Sequence, residues 1–165
     1  MYRWATIAII VKPFSDIAGS ASKYRVVVAM LLENLRTREA ENAFRTHGVK
    51  VAYLFGSYAK GTALPTSDVD IAVLFDEAID KNRDFELLAG LTAELMKLLE
   101  RNDIDVVALN NASPLLRYKV FTDGEVIFSD SEKGRVRFEV KAMRDYFDTK
   151  RLREIMRKAY VDRSA

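Results

Sequence analysis

The sequence predicts an α+β domain, a mixed β-sheet of about four strands packed against helices, with a long C-terminal helix. Three observations carry that expectation. Four short apolar runs, residues 49–55, 68–75, 104–109 and 125–128, alternate with segments of helical periodicity. Residues 68–75 are hydrophobic at nearly every position, as in a strand covered on both faces. At 165 residues, with 49% hydrophobic and 30% charged content, the chain has room for one core of ordinary globular composition.

Taken in order, residues 1–29 form an N-terminal extension with three open readings. Residues 4–11 are apolar for eight positions before Lys12 and Pro13, far short of a membrane span. They resemble a weak signal peptide, the product of a start site placed ahead of Met30, or an edge strand. Residues 31–47 repeat Leu31, Leu32, Leu35, Ala40 and Phe44 at helical spacing, and His47-Gly48 closes that helix as a cap. A strand then runs to Phe55, and Gly56 to Thr66 turns through a brief helical stretch broken at Pro65. A second strand follows at 68–75, and a leucine-rich helix spans 85–100. A third strand occupies 104–109. Pro114 opens a helix to Phe121, Asp123-Gly124 turns into a strand at 125–128, and Ser131 caps one long helix that continues to the end.

Composition narrows the chemistry. With no cysteine there is no disulfide, thiolate ligand or cysteine nucleophile, and a reducing cytoplasm suits the chain. The single histidine, His47, is read as a capping residue, which leaves carboxylates, hydroxyls, lysines and bound ions to do any catalysis. The net charge of +2 hides an asymmetry. Residues 1–130 carry 15 Lys and Arg against 18 Asp and Glu, whereas residues 131–165 carry 11 against 6. A basic tail on an acidic body suits a partner surface as well as it suits a solvated helix face.

The informative segment is Gly56-Ser57, ten residues, then Asp68-Val69-Asp70. Residues two apart in a strand share a face, so Asp68 and Asp70 are expected side by side. Two carboxylates in an otherwise apolar run are costly unless a cation lies between them, and hard divalent ions such as magnesium prefer carboxylate and phosphate oxygens. Gly56 lets a phosphate approach the backbone, where amides and the Ser57 hydroxyl can donate to it. Four fixed residues at about 6% usage match by chance in roughly one chain of this length in several hundred. A third carboxylate, Asp105, lies within the next strand on the face opposite Ile104, Val106 and Ala108; Asp103 shares its facing and stays as an alternative.

These residues resemble the DNA polymerase beta-like nucleotidyltransferase superfamily. The string from Tyr53-Leu54-Phe55-Gly56-Ser57 through Ser67-Asp68-Val69-Asp70-Ile71 is similar to its minimal nucleotidyltransferase (MNT) branch, and the likeness runs from about Leu31 to Phe128. The resemblance implies a nucleotidyltransferase domain at 30–130 followed by a helical extension at 131–165. It implies that Asp68, Asp70 and Asp105 are catalytic and hold two magnesium ions, and that Gly56, Ser57 and Lys60 bind the nucleoside triphosphate. Asp105 would take the proton of the acceptor hydroxyl. Thr66 and Ser67 either position the Asp68–Asp70 loop or merely cap it. It further implies that AMP passes from ATP to a tyrosine of a HEPN ribonuclease toxin, for which the chain would be the antitoxin. The alternatives are a small-molecule nucleotidyltransferase and an antitoxin that acts by contact alone.

The partner is expected at the C-terminal helix. Leu152, Ile155, Met156, Ala159 and Tyr160 form one stripe there, flanked by Arg153, Arg157 and Lys158. That pattern suits a docking helix or a core-packing stripe. It lacks the interleaved aromatic and basic residues of a nucleic-acid module, so direct nucleic-acid binding is not expected, nor is a membrane partner.

Overall fold

The computed structural model describes residues 20–64, 66–78 and 84–163, with side chains described between 27 and 156. Residues 4–11, Pro65, and the side chains of Arg157, Lys158, Ala159 and Tyr160 therefore lie outside the described part.

Two helices, not one, precede the sheet. Helix α1 (Ser20–Leu35) and helix α2 (Arg38–Thr46) are separated at Thr37, whose extended backbone ends one helix and caps the next. Its hydroxyl donates to the Asn34 carbonyl at 2.9 Å and accepts from the Ala40 amide at 3.3 Å. Apolar periodicity across 31–47 conceals this break, because Leu35 and Ala40 face the same core from different helices. His47 is the C-cap of α2, its amide donating to the Ala43 carbonyl, as the sequence suggested.

Strand β1 (Val49–Phe55) leads into a single helical turn, α3 (Gly56–Ala59). Then come β2 (Val69–Phe75), α4 (Asp84–Leu99), β3 (Ile104–Ala108), α5 (Pro114–Asp123) and β4 (Glu125–Ser129). The chain closes with α6 (Glu132–Asp148) and α7 (Lys150–Arg163). The single C-terminal helix expected from sequence is thus two. Thr149 caps α6, its hydroxyl donating to the Asp145 carbonyl at 2.8 Å and receiving Arg153. Ser131 does cap α6, accepting from the Gly134 amide.

The sheet runs β3-β2-β1-β4. β1 lies antiparallel to both β2 and β4, and β2 lies parallel to β3, so the sheet is mixed as expected. Period-two alternation divides the side chains between two faces. Val69, Ile71, Val73 and Phe75 of β2 pack with Leu35, Phe44, Leu91 and Leu95 of α1, α2 and α4. Ala72 of β2 packs with Val51 and Tyr53 of β1, Val120 of α5 and Phe138 of α6 on the other face. Asp70 belongs by parity to this second face, and so does Asp105, since Ile104 and Val106 point to the first. No helix among the described residues is long and apolar enough to cross a membrane.

Candidate active site

The predicted site residues gather at one end of the sheet, where β1 finishes and β2 and β3 begin. Asp70 pairs in register with Phe55 of β1 on one side and with Asp105 of β3 on the other. Asp68 falls one residue before β2, so it belongs to the incoming loop and not to the strand. The Val69 amide, between the two aspartates, donates to the Asp103 carbonyl at 2.8 Å. Thus the backbone, not an adjacent pair of strand side chains, sets where Asp68 stands.

Electrostatics joins the three acids. Asp70 is pushed above the ordinary carboxyl range, first by burial and then by the negative charges of Asp105 and Asp68. Among the described residues no three His, Cys, Asp or Glu side chains close into a metal-sized cluster. The donor set nevertheless fits a hard divalent cation. It consists of carboxylate oxygens, and their mutual repulsion is what an ion would relieve.

Asp103, the alternative third acid, is accounted for differently. Arg101 grips it with two bonds, Nε to Oδ1 at 2.8 Å and Nη2 to Oδ2 at 2.5 Å, which holds its carboxyl below the usual range. A carboxylate already neutralised by a fixed guanidinium is a poor ligand for another cation. Asp105, exposed and facing Asp70, is the acid left open.

Gly56 is indispensable to this arrangement for two reasons. Its φ of +71° is left-handed, and a Cβ there would sit 1.9 Å from Asp70 Oδ2. The Asp70 carboxylate therefore lies where any other residue would place its side chain. Gly56 also opens α3, whose N-cap, Phe55, supplies no side-chain bond to the first amides. Ser57 follows, half-buried, its carbonyl taken by the Thr62 amide. Lys60 ends the turn with Nζ 3.6 Å from Asp123 at the end of α5, both side chains about half exposed. Ser67 turns out to cap its own loop, accepting from the Leu64 amide at 2.8 Å.

His47 is remote from these groups, with Nε2 2.9 Å from Glu94 of α4. A cavity of about 700 Å³ occupies the opposite end of the sheet, bordered by Lys50, Phe75, Asn110, Arg117 and Phe138. None of Gly56, Ser57, Asp68, Asp70 or Asp105 lines it, and Lys50 and Arg117 there are engaged by Asp76, Asp130 and Asp145. It is not the site of the clustered acids.

The model of the family described as polymerase beta, nucleotidyltransferase matches residues 38–133, more than half of the chain and all of the sheet. The chain belongs to this family. As a member, it is 35% identical over 98 residues to the protein adenylyltransferase MntA of Shewanella oneidensis, a match covering 59% of this chain and 66% of that one. It is 35% identical over 88 residues to the protein adenylyltransferase MntA of Aphanizomenon flos-aquae, covering 50% and 58%. The chain thus spans less than two thirds of the length of these relatives. Among solved structures it is similar to a toxin–antitoxin crystallised with AMP-PNP, with a TM-score of 0.61 and 29% identity over 76% of this chain and 99% of that one. A second neighbour is the MntA–HpeT toxin–antitoxin in a mutant with two aspartates, two positions apart, changed to glutamate (TM-score 0.59, 28% identity, 73% and 94% covered).

Arg101 escaped the sequence reading altogether. It follows a helix with nothing in its spacing to mark it, and only the folded chain brings it to Asp103 and Tyr58.

Proposed function

We propose that this family member is a protein adenylyltransferase, moving AMP from ATP to a tyrosine hydroxyl of a HEPN ribonuclease toxin and thereby acting as its antitoxin. The observation that carries the reading is the pairing of Asp70 with Asp105 beside a glycine that leaves room for the Asp70 carboxylate. Family membership supports nucleotidyl transfer, and the names of the relatives support a protein acceptor. The neighbouring toxin–antitoxin bound to AMP-PNP supports ATP as donor. We take the cytoplasm, where ATP is abundant, as its place of action.

In this reading Asp68, Asp70 and Asp105 would hold the two magnesium ions that such a reaction uses. Bound there, the ions supply charge neutralisation for the triphosphate and acidify the acceptor hydroxyl. The chain's own groups do the rest. The amides of Gly56 and Ser57 and the Ser57 hydroxyl hold the outer phosphates, and Lys60 adds a positive charge after releasing Asp123. Asp105 holds the proton that leaves the acceptor oxygen. That oxygen forms the new bond to the α-phosphorus as the bond to the β-phosphate breaks, and pyrophosphate departs. Intact-mass spectrometry of a HEPN toxin, incubated with this chain, magnesium and ATP, is the test. A gain of whole AMP units that depends on this chain, and disappears with Asp68→Asn, is expected. Tight complex formation without any mass gain would leave a contact-only antitoxin instead.

We further propose that the acceptor docks on the C-terminal helices. Val136, Val140, Met143 and Phe147 make an exposed stripe along α6, and exposed Lys133, Arg137, Lys141 and Arg144 run beside it. Leu152, Ile155 and Met156 continue the apolar surface on α7. Such a surface suits an amphipathic helix with acidic flanks on the partner. Changing Val140 and Met143 together to glutamate is expected to weaken the complex by roughly a hundredfold, the scale of losing hot-spot contacts. In steady-state transfer it should raise KM for the acceptor and leave kcat unchanged; an unaltered Kd by calorimetry would put docking elsewhere.

A further inference from the structure

Arg101 stands where three parts of the site meet. Its guanidinium clasps Asp103 through both carboxylate oxygens, and the same Nη2 donates to the Tyr58 hydroxyl at 2.9 Å. The guanidinium carbon also lies 5.5 Å from the centre of the Tyr58 ring. Tyr58 is only 3% exposed and is the residue after Ser57 in α3. Asp103 in turn precedes β3, two residues before Asp105, and its carbonyl takes the Val69 amide between Asp68 and Asp70.

We propose that Arg101, with Tyr58 and Asp103, is a positioning triad that sets the Gly56-Ser57 turn at a fixed distance from all three acids. The inference rests on the nucleotidyltransferase reading above. Each link is a short run of covalent and hydrogen-bonded steps. Arg101 reaches Ser57 through Tyr58, Asp105 through the Asp103 backbone, and the Asp68–Asp70 pair through Val69. The guanidinium bridges α3 directly to the residue before β3, a link that otherwise runs through the sheet, and a forked charged bond resists sliding better than apolar packing does. A displacement of about 1 Å at phosphate-holding or proton-holding groups costs up to roughly a hundredfold in rate.

The test compares Tyr58→Phe, Arg101→Lys and a control, Leu109→Ala, which loosens the core on the face of the sheet opposite Tyr58 without touching the triad. Calorimetric titration with magnesium and ATP gives the nucleotide Kd, thermal melting gives stability, and transfer to the same HEPN toxin gives kcat and KM. Tyr58→Phe removes one oxygen and keeps the ring, so it decides the matter even if Arg101→Lys fails to fold. Both triad variants are expected to bind nucleotide about tenfold more weakly and to lose kcat by ten- to a hundredfold. The Leu109→Ala protein, melting at a temperature at least as low, should stay within about twofold of the parent. Changes in Kd and kcat that simply track melting temperature across all three variants would show a structural role only, and overturn the proposal. Failure of the unaltered chain to bind ATP at all would instead remove the nucleotidyltransferase reading, and the triad with it.

Discussion

Asp70→Asn is expected to abolish adenylyl transfer, by about a thousandfold or more, and to leave the protein folded with a melting temperature at neutral pH equal to or above the parent's. The two halves of that result come from the same charges. Asp70 lies between Phe55 and Asp105 with burial, Asp105 and Asp68 all disfavouring its ionised form. A carboxyl raised in the folded state above its unfolded value costs stability once it ionises. Its contribution is fully favourable below the unfolded value near 3.8 and is lost as pH rises through the folded value. At pH 7 the amide removes that penalty while keeping the side chain's shape, so the fold does not suffer. Transfer does, because a neutral amide cannot help neutralise a divalent ion, and each factor of ten in rate corresponds to about 1.4 kcal/mol of lost transition-state stabilisation. Thermal melting at pH 5 and pH 7 alongside mass-based AMP incorporation checks both halves. The gap in melting temperature between variant and parent should widen toward pH 7. Retained transfer would remove Asp70 from the metal assignment.

Gly56→Ala is the second large effect, and here fold and activity should fall together. The backbone at Gly56 has φ +71°, where a residue with a Cβ pays about 1–2 kcal/mol. The added methyl would also overlap Asp70 Oδ2 at 1.9 Å and Cγ at 2.8 Å, too close to be relieved without moving the carboxylate. Either the Asp70 side chain swings away or α3 lifts from the sheet end, and each separates the Gly56-Ser57 turn from the acids. A drop in melting temperature of several degrees is expected from the backbone cost alone. Transfer should fall at least a hundredfold, with a weaker Kd for magnesium and ATP. A variant that loses stability but keeps its nucleotide affinity would mean that the contact between Gly56 and Asp70 matters only for folding.

What could be read from the amino-acid order alone was whatever depends on local periodicity and short spacing. The four strands, the mixed α+β class and helix α4 follow from the alternation of apolar residues, because burial on one or both faces imposes periods of two or 3.6 wherever the element sits. Gly56, Ser57, Asp68 and Asp70 could be singled out because a chemical need, hard oxygen ligands near a bare stretch of backbone, is written within fifteen residues. The facing of Asp105 was legible for the same reason, through the burial of Ile104 and Val106 beside it.

Other features depended on partners distant in sequence. The break at Thr37 is invisible to periodicity, since Leu35 and Ala40 meet the same core from two helices. The interruption at Thr149, whose hydroxyl bonds back to the Asp145 carbonyl and receives Arg153, leaves no mark in the apolar period either. Asp103 and Asp105 share a facing along the chain, and only Arg101, brought in from the end of α4, neutralises one and leaves the other open to Asp70. The clash that demands glycine at position 56 involves a carboxylate fourteen residues away, placed there by the antiparallel register of Phe55 with Asp70. Local order therefore singled out the candidate residues, and the tertiary structure decided which charges are cancelled and which remain, because electrostatic neutralisation depends on distance in space and not on separation along the chain.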